Sequence, residues 1–141
     1  MLMTTHAAAK FNVKTWDEKT WDGRNWKEVE GAKLTHAAVT KTYQGDIEGD
    51  GNSHTLTTYD SQGSAHYVGL EQVIGKVGTR AGSFVLQVTG SYDVETGLAK
   101  AAWSVVPGSG TEALRGLKGQ GGFVAEHGKS EVLATLDYDF E

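Results

Sequence analysis

Polar and apolar residues alternate along much of this chain with a period of two, the mark of strands that bury one face. Lys10 to Thr15 puts Phe11 and Val13 on one side and Lys10, Asn12 and Lys14 on the other. Leu34 to Gln44, rich in Thr, Val and Tyr, is a longer run that stops at Gly45-Asp46. Ser53 to Tyr59 is closed by Asp60-Ser61-Gln62-Gly63, which suits a type I turn with glycine in the left-handed position of a hairpin. Ala65 to Val77 follows, and Gly78 to Gly82 turns the chain into Ser83 to Tyr92. A turn at Asp93 to Gly97 leads into Leu98 to Val106, which Pro107-Gly108-Ser109-Gly110 breaks. Thr111 to Gly116 reads as one helical turn with Thr111 as its N-cap. Leu117 to Ala125 is a Gly-rich strand, and Val132 to Phe140 alternates Leu136, Tyr138 and Phe140 with Asp137 and Asp139.

Eight strands with short connections, no repeat and no linker predict one all-β domain over residues 1–141. A closed antiparallel eight-stranded up-and-down barrel leaves no open edge and is the favoured architecture; a two-sheet sandwich is the alternative. The 19 Gly and single Pro, Pro107, fit many tight turns. A net charge of −5 and the absence of any Lys or Arg run argue against nucleic acid as a partner. With no cysteine there is no disulfide, thiolate nucleophile or Cys-ligated metal, which leans towards a reducing compartment. The start, Met1 to Lys10, has no basic segment followed by an apolar core, and no stretch approaches a membrane span. The expected setting is the cytoplasm, with no membrane partner.

From Leu34 onward several words are more specific than strand patterning. They are Tyr67-Val68-Gly69-Leu70-Glu71, Gly82 to Gln87, Trp103 to Thr111, Gly121 to Ala125 and Leu136 to Glu141, together with Trp16-Asp17-Glu18-Lys19 near the start. In this order and spacing the chain resembles a family of small uncharacterised bacterial proteins, a domain of unknown function. That family's fold resembles the allene oxide cyclase barrel, a relative in architecture of the lipocalins. The resemblance implies a closed eight-stranded barrel and, since fold alone supplies no reaction, no particular chemistry.

Hairpin pairing predicts two faces. Leu56, Val68, Leu70, Ile74, Phe84, Leu86 and Val88 are expected on one; Thr57, Tyr67, Glu71, Val73, Gln87 and Trp103 on the other. Either the aliphatic set fills the barrel and Glu71 and Gln87 are solvated outside, or the amphipathic set lines a pocket. The first is the default, since solvated Glu and Thr are common on strands. In the second, Tyr67, Glu71, Gln87 and Trp103 are the candidate ligand-binding residues. Glu71, desolvated beside the other three, is then a candidate catalytic acid or base.

Other chemistries find less support. His6, His36, His54, His66 and His127 are scattered, with no His-x-His or HExxH spacing, although His54 and His66 share a face of one hairpin. Asp46 to Asn52 offers oxygen ligands but has Thr57 where a calcium loop needs a bidentate Glu, so it reads as an acidic hairpin loop. Gly108-Ser109-Gly110-Thr111 and Gly116-Leu117-Lys118-Gly119 do not fit phosphate-loop spacing and read as turns. GxSxG is absent. Trp16, Trp21 and Trp26 recur every five residues, either as a lid over one mouth or, slightly favoured, buried against the rim.

No metal or other cofactor is expected. The favoured function is a small-molecule binding barrel for an apolar or amphipathic ligand. The alternatives are a cyclase or isomerase acting on an enclosed apolar substrate, and a structural or interaction protein with a filled barrel. Apolar residues on two faces of several strands also predict self-association into a homo-oligomer.

Overall fold

The computed structural model describes residues 4–141; Met1–Met3, part of the stretch read for a targeting signal, lie outside the described residues. Eight strands form one closed barrel: β1 (Thr5–Thr20), β2 (Lys33–Gly45), β3 (Ile47–Tyr59), β4 (Ala65–Val77), β5 (Arg80–Asp93), β6 (Leu98–Val105), β7 (Leu117–Glu126) and β8 (Glu131–Phe140). Each pairs antiparallel with the next, and β8 returns to β1.

Several strands run further than their side-chain alternation foretells. The acidic Asp46 to Asn52 is not a loop: only Asp46 separates β2 from β3, and Ile47 is fully buried. Glycines and acidic residues are poor strand formers alone, but here β3 has a ladder on both sides, from Ile47↔Val77 on β4 and from Gly49↔Tyr43 on β2. Arg80–Gly82 likewise belongs to β5. Leu117–Gly119 lies in β7, in line with the Gly-rich strand and not with the turn read at Gly116–Gly119, so only Gly116 turns, at φ 82°. Thr111 stands at the N-cap of the short 3₁₀ turn Glu112–Leu114, as expected, but its side chain makes no capping hydrogen bond. Its hydroxyl instead accepts from the Ser83 backbone N–H at 3.0 Å, tying that loop to β5.

β1 is the longest strand, and it holds two irregularities. An extra residue between Val13 and Thr15 bulges the ladder with β2. Before it the odd positions Ala7, Ala9 and Phe11 point inward; after it the even positions Glu18 and Thr20 do. β8 pairs with β1 only as far as Asn12↔Glu131, so the second half of β1 is held by β2 alone. Lys14, Asp17 and Lys19 punctuate that bare edge, a common defence against edge-to-edge pairing.

The interior is divided along its length. One half is packed: Phe84, Leu86, Leu114, Leu117, Trp103 and Leu136 are all buried there, with Leu114 of the short 3₁₀ turn closing the end. Each such side chain contributes roughly 1.5–3 kcal/mol by leaving water. The other half, where β1, β3, β5 and β7 end, is open.

The two predicted faces are mixed in reality. Leu70 pairs with Gln87 and Glu71 with Leu86, so Phe84, Leu86 and Val88 share the interior with Tyr67, Glu71, Val73 and Trp103. Leu56, Val68, Leu70 and Ile74 face outward and are half exposed or more. Gln87 is on the outside with them, and Thr57 is inside. The expected grouping of Leu70 with Leu86 was thus one residue out of register, and such a slip exchanges the two sides of a strand.

Candidate functional site

The open half encloses a cavity of about 670 Å³ that reaches from the mouth down to Glu71. Its walls are mainly apolar and aromatic, among them Phe11, Val39, Tyr67, Val88 and Phe123. The missing β8 partner beyond Asn12 leaves Val13 and Trp16 at its edge, 42% and 57% exposed.

The floor carries an ion pair. Lys41 on β2 donates to Glu71 Oε1 on β4 at 2.8 Å, and the Tyr43 hydroxyl donates to Oε2. Glu71 is fully buried and Lys41 is 7% exposed. β3 runs between them, and the residue opposite Lys41 in register is Gly51. A Cβ there would lie 2.6 Å from Glu71 Oε2 and 2.8 Å from the Tyr43 ring, so glycine makes the space in which the three groups meet. The Lys41 ammonium also lies 4.3 Å from the Phe11 ring centroid and 5.1 Å from that of Phe123. Burial, and then the charge of Glu71, hold the Tyr43 phenol well above its ordinary pKa.

A second buried carboxylate lies nearer the mouth. Glu18, 3% exposed, accepts from Thr35 Oγ1 at 2.6 Å and from the Tyr59 hydroxyl at one oxygen, and from Trp16 Nε1 at 3.0 Å at the other. Tyr59 is pushed up from its usual pKa by burial first and by its bond to Glu18 second. Asn25 caps the short turn Trp26–Glu28, its side chain accepting from the Lys27 N–H, and this sets Trp26 in a stack on Tyr59 with ring centroids 5.8 Å apart.

Of the four predicted ligand residues, the structure brings Tyr67 and Glu71 to the cavity. Burial raises the Tyr67 phenol to a pKa of about 12. Its ring lies against Gly90, where a Cβ would fall 2.3 Å from the ring. Trp103 is inside but in the packed half, donating to the Thr135 carbonyl at 3.0 Å and packing on Phe123. Gln87 faces solvent on the other side of the sheet from Glu71 and cannot stand beside it. Trp16 and Trp26 line the mouth, whereas Trp21 is exposed and donates to the Thr35 carbonyl.

Sequence reasoning passed over Lys41, Tyr43 and Glu18. Lys41 had a signal: it shares the odd positions of β2 with Ala37, Val39 and Tyr43, an apolar set in which a lysine is out of place. Glu18 had none, because the bulge that turns it inward is invisible in the alternation. The outward His36 and His54 meet at 3.0 Å between ring nitrogens, while His66 is not part of that pair. Among the described residues no group of three or more His, Asp or Glu side chains gathers to hold a metal ion.

Fold and site together define a small closed antiparallel β-barrel, packed at one end and hollow at the other. Residues 7–138 match the family described as protein of unknown function (DUF3224), and the chain belongs to that family. It is similar to a protein of unknown function from the DUF3224 family of Shewanella oneidensis MR-1, whose crystal structure was determined at 1.84 Å resolution. The two are 32% identical, with 98% of each chain covered and a TM-score of 0.78. No curated protein matches the chain.

Proposed function

We propose that this protein binds a small amphipathic molecule in the open half of its barrel. The observation that carries the reading is the division of the interior. A barrel kept only for its stability gains by filling its length, because apolar voids forfeit packing energy. Here one half is packed, and the other keeps about 670 Å³ lined by apolar walls and a few placed polar groups. Pockets for small ligands are built in this way, and mouths of β-barrels are a common place for them.

The polar groups on offer are the Tyr67 hydroxyl, which makes no hydrogen bond among the described residues, and the two carboxylates with their donors. The alternative of a cyclase or isomerase, which the sequence resemblance made conceivable, needs Glu71 free to take a proton. Both of its oxygens are already engaged, by Lys41 and Tyr43, which favours binding over acid–base chemistry. The cysteine-free composition fits a cytoplasmic setting. No helix among the described residues is long and apolar enough to cross a membrane, a fact that bears on helices alone.

Mass spectrometry of freshly purified protein, native and then denatured and extracted, tests the proposal. A stoichiometric small molecule released only on unfolding is the expected result. No released compound, together with a melting temperature unmoved by a panel of lipophilic molecules, would overturn it.

A further inference from the structure

The cavity faces two buried carboxylates, and among the described residues only one of them has a cation. Glu71 has the Lys41 ammonium at 2.8 Å, and that ammonium also lies over the faces of Phe11 and Phe123. The chain thus shows how this interior accommodates a positive charge: one carboxylate and two aromatic rings. Around Glu18 the same parts recur, with Trp16 donating to it and the stacked pair Trp26 and Tyr59 beside it. Among the described residues, no lysine, arginine or histidine nitrogen comes within 4.0 Å of Glu18. Lys33 lies over the stacked pair, 5.3 Å and 5.0 Å from the Trp26 and Tyr59 ring centroids, and Lys27 lies 5.8 Å from that of Trp26; Lys33 donates to the carbonyls of Trp26 and Val29, not to Glu18.

We infer that the ligand of this cavity carries a positively charged amine, and that Glu18 is the residue that receives it. This rests on the proposed ligand-binding role of the barrel and names the chemical class of the ligand. Charge counting at the cavity walls agrees. Lys41 offsets Glu71 on the floor, Asp17 and Lys27 offset each other at the mouth, and the Glu18 carboxylate remains. A carboxylate withdrawn from water without a counter-ion is costly, and an entering ammonium relieves that cost where a neutral or anionic head group cannot. Glu18 Oε1 accepts only from Trp16, which leaves it a lone pair for one more donor. The apolar walls below take a hydrocarbon body, so the ligand is an alkyl or aryl amine rather than a sugar or a phosphate.

The test compares three probes with the same eight-carbon chain on the full-length protein: octylammonium, octanol and octanoate. Affinities are measured by calorimetry in about 0.5 M salt, where a Debye length of a few ångströms removes attraction to the net negative surface. The expected order is octylammonium at least tenfold tighter than octanol, with octanoate weakest. Glu18→Gln should reduce octylammonium to the affinity of octanol while leaving octanol unchanged. Should that variant not fold, the carboxyl carbon resonance of Glu18 in the wild-type protein decides. Movement with octylammonium but not with octanol supports the inference, and a resonance unmoved by either overturns it. If octanol and octanoate bind as well as octylammonium, the inference fails and the ligand-binding reading stands. If none of the three binds, the ligand-binding reading fails with it.

Discussion

Lys41 and Glu71 reach each other inside the barrel from two strands that are not neighbours, with 2.8 Å between ammonium and carboxylate and Gly51 of β3 passing between them. Such a pair is not a simple gain in stability, because both charges gave up water to form it. What it does fix is the cost of breaking it. Lys41→Met leaves Glu71 buried with Tyr43 as its remaining donor, and is expected to lose about 3–5 kcal/mol. Lys41→Met combined with Glu71→Gln should recover most of that loss. Urea unfolding of the two variants against wild type is the measurement, and a single variant as stable as wild type would refute the claim.

The space at Gly51 gives a second prediction. Gly51→Ala places a methyl group 2.6 Å from Glu71 Oε2 and 2.8 Å from the Tyr43 ring. Overpacking of this kind typically costs about 1–3 kcal/mol. The lost stability should come with a changed environment for Tyr43, seen in near-ultraviolet circular dichroism. An unaltered spectrum would mean that the three groups do not meet as described.

The inward and outward sets can be told apart by two leucines. Leu86 is 1% exposed and Leu70 is 54% exposed. Leu86→Ala should cost about 2–5 kcal/mol, and Leu70→Ala no more than about 0.5 kcal/mol. Equal losses in denaturant unfolding would contradict the register of β4 and β5.

Alkali should unfold the protein through its tyrosines. Tyr43, Tyr59 and Tyr67 all have phenols raised above the ordinary value of 10.0, with Tyr67 at about 12. In that range the unfolded chain has already released protons that the folded chain still holds, so stability falls as pH rises. The contribution is intact below pH 10 and is lost through the Tyr67 window up to about 12. Phenolate absorbance should therefore rise together with loss of the far-ultraviolet strand signal, and Tyr67→Phe should shift that coupled rise to higher pH. Ionisation of all five tyrosines near pH 10 in a folded protein would be the opposite result.

Much of this barrel is legible in its sequence, and the failures have physical causes. β4 is bounded at both ends by turn residues, and its limits, Ala65 and Val77, can be read directly. Its faces cannot. The close approach of the β3 backbone, at His54–Thr55 and Glu48–Gly49, leaves no room for a Cβ at the inward positions of Gly69 and Gly75, while Val68, Leu70 and Ile74 face out, so the solvent side is the more aliphatic. Hydrophobicity then points the wrong way, and Leu70 seems to belong with Leu86. β3 hides for a related reason: Gly49, Gly51 and Asn52 carry no strand signal, and only partners on both sides make them one.

Tyr67 and Glu71 could be singled out because strand alternation puts them on one amphipathic face, although Gln87, grouped with them, faces out. Lys41 was conspicuous on β2 but became meaningful only with Glu71 brought beside it across Gly51. No pattern within a single strand carries that information.

The extra residue between Val13 and Thr15 works on β1 as a single inserted letter works on a message read in pairs. Upstream, the inward syllables spell Ala7, Ala9 and Phe11; downstream they spell Glu18 and Thr20. Without the insertion, the same downstream letters would send Asp17 and Lys19 into the barrel and turn Glu18 out to solvent. One strand thus speaks an apolar language at the floor and a polar one at the rim, and the two texts can be edited separately.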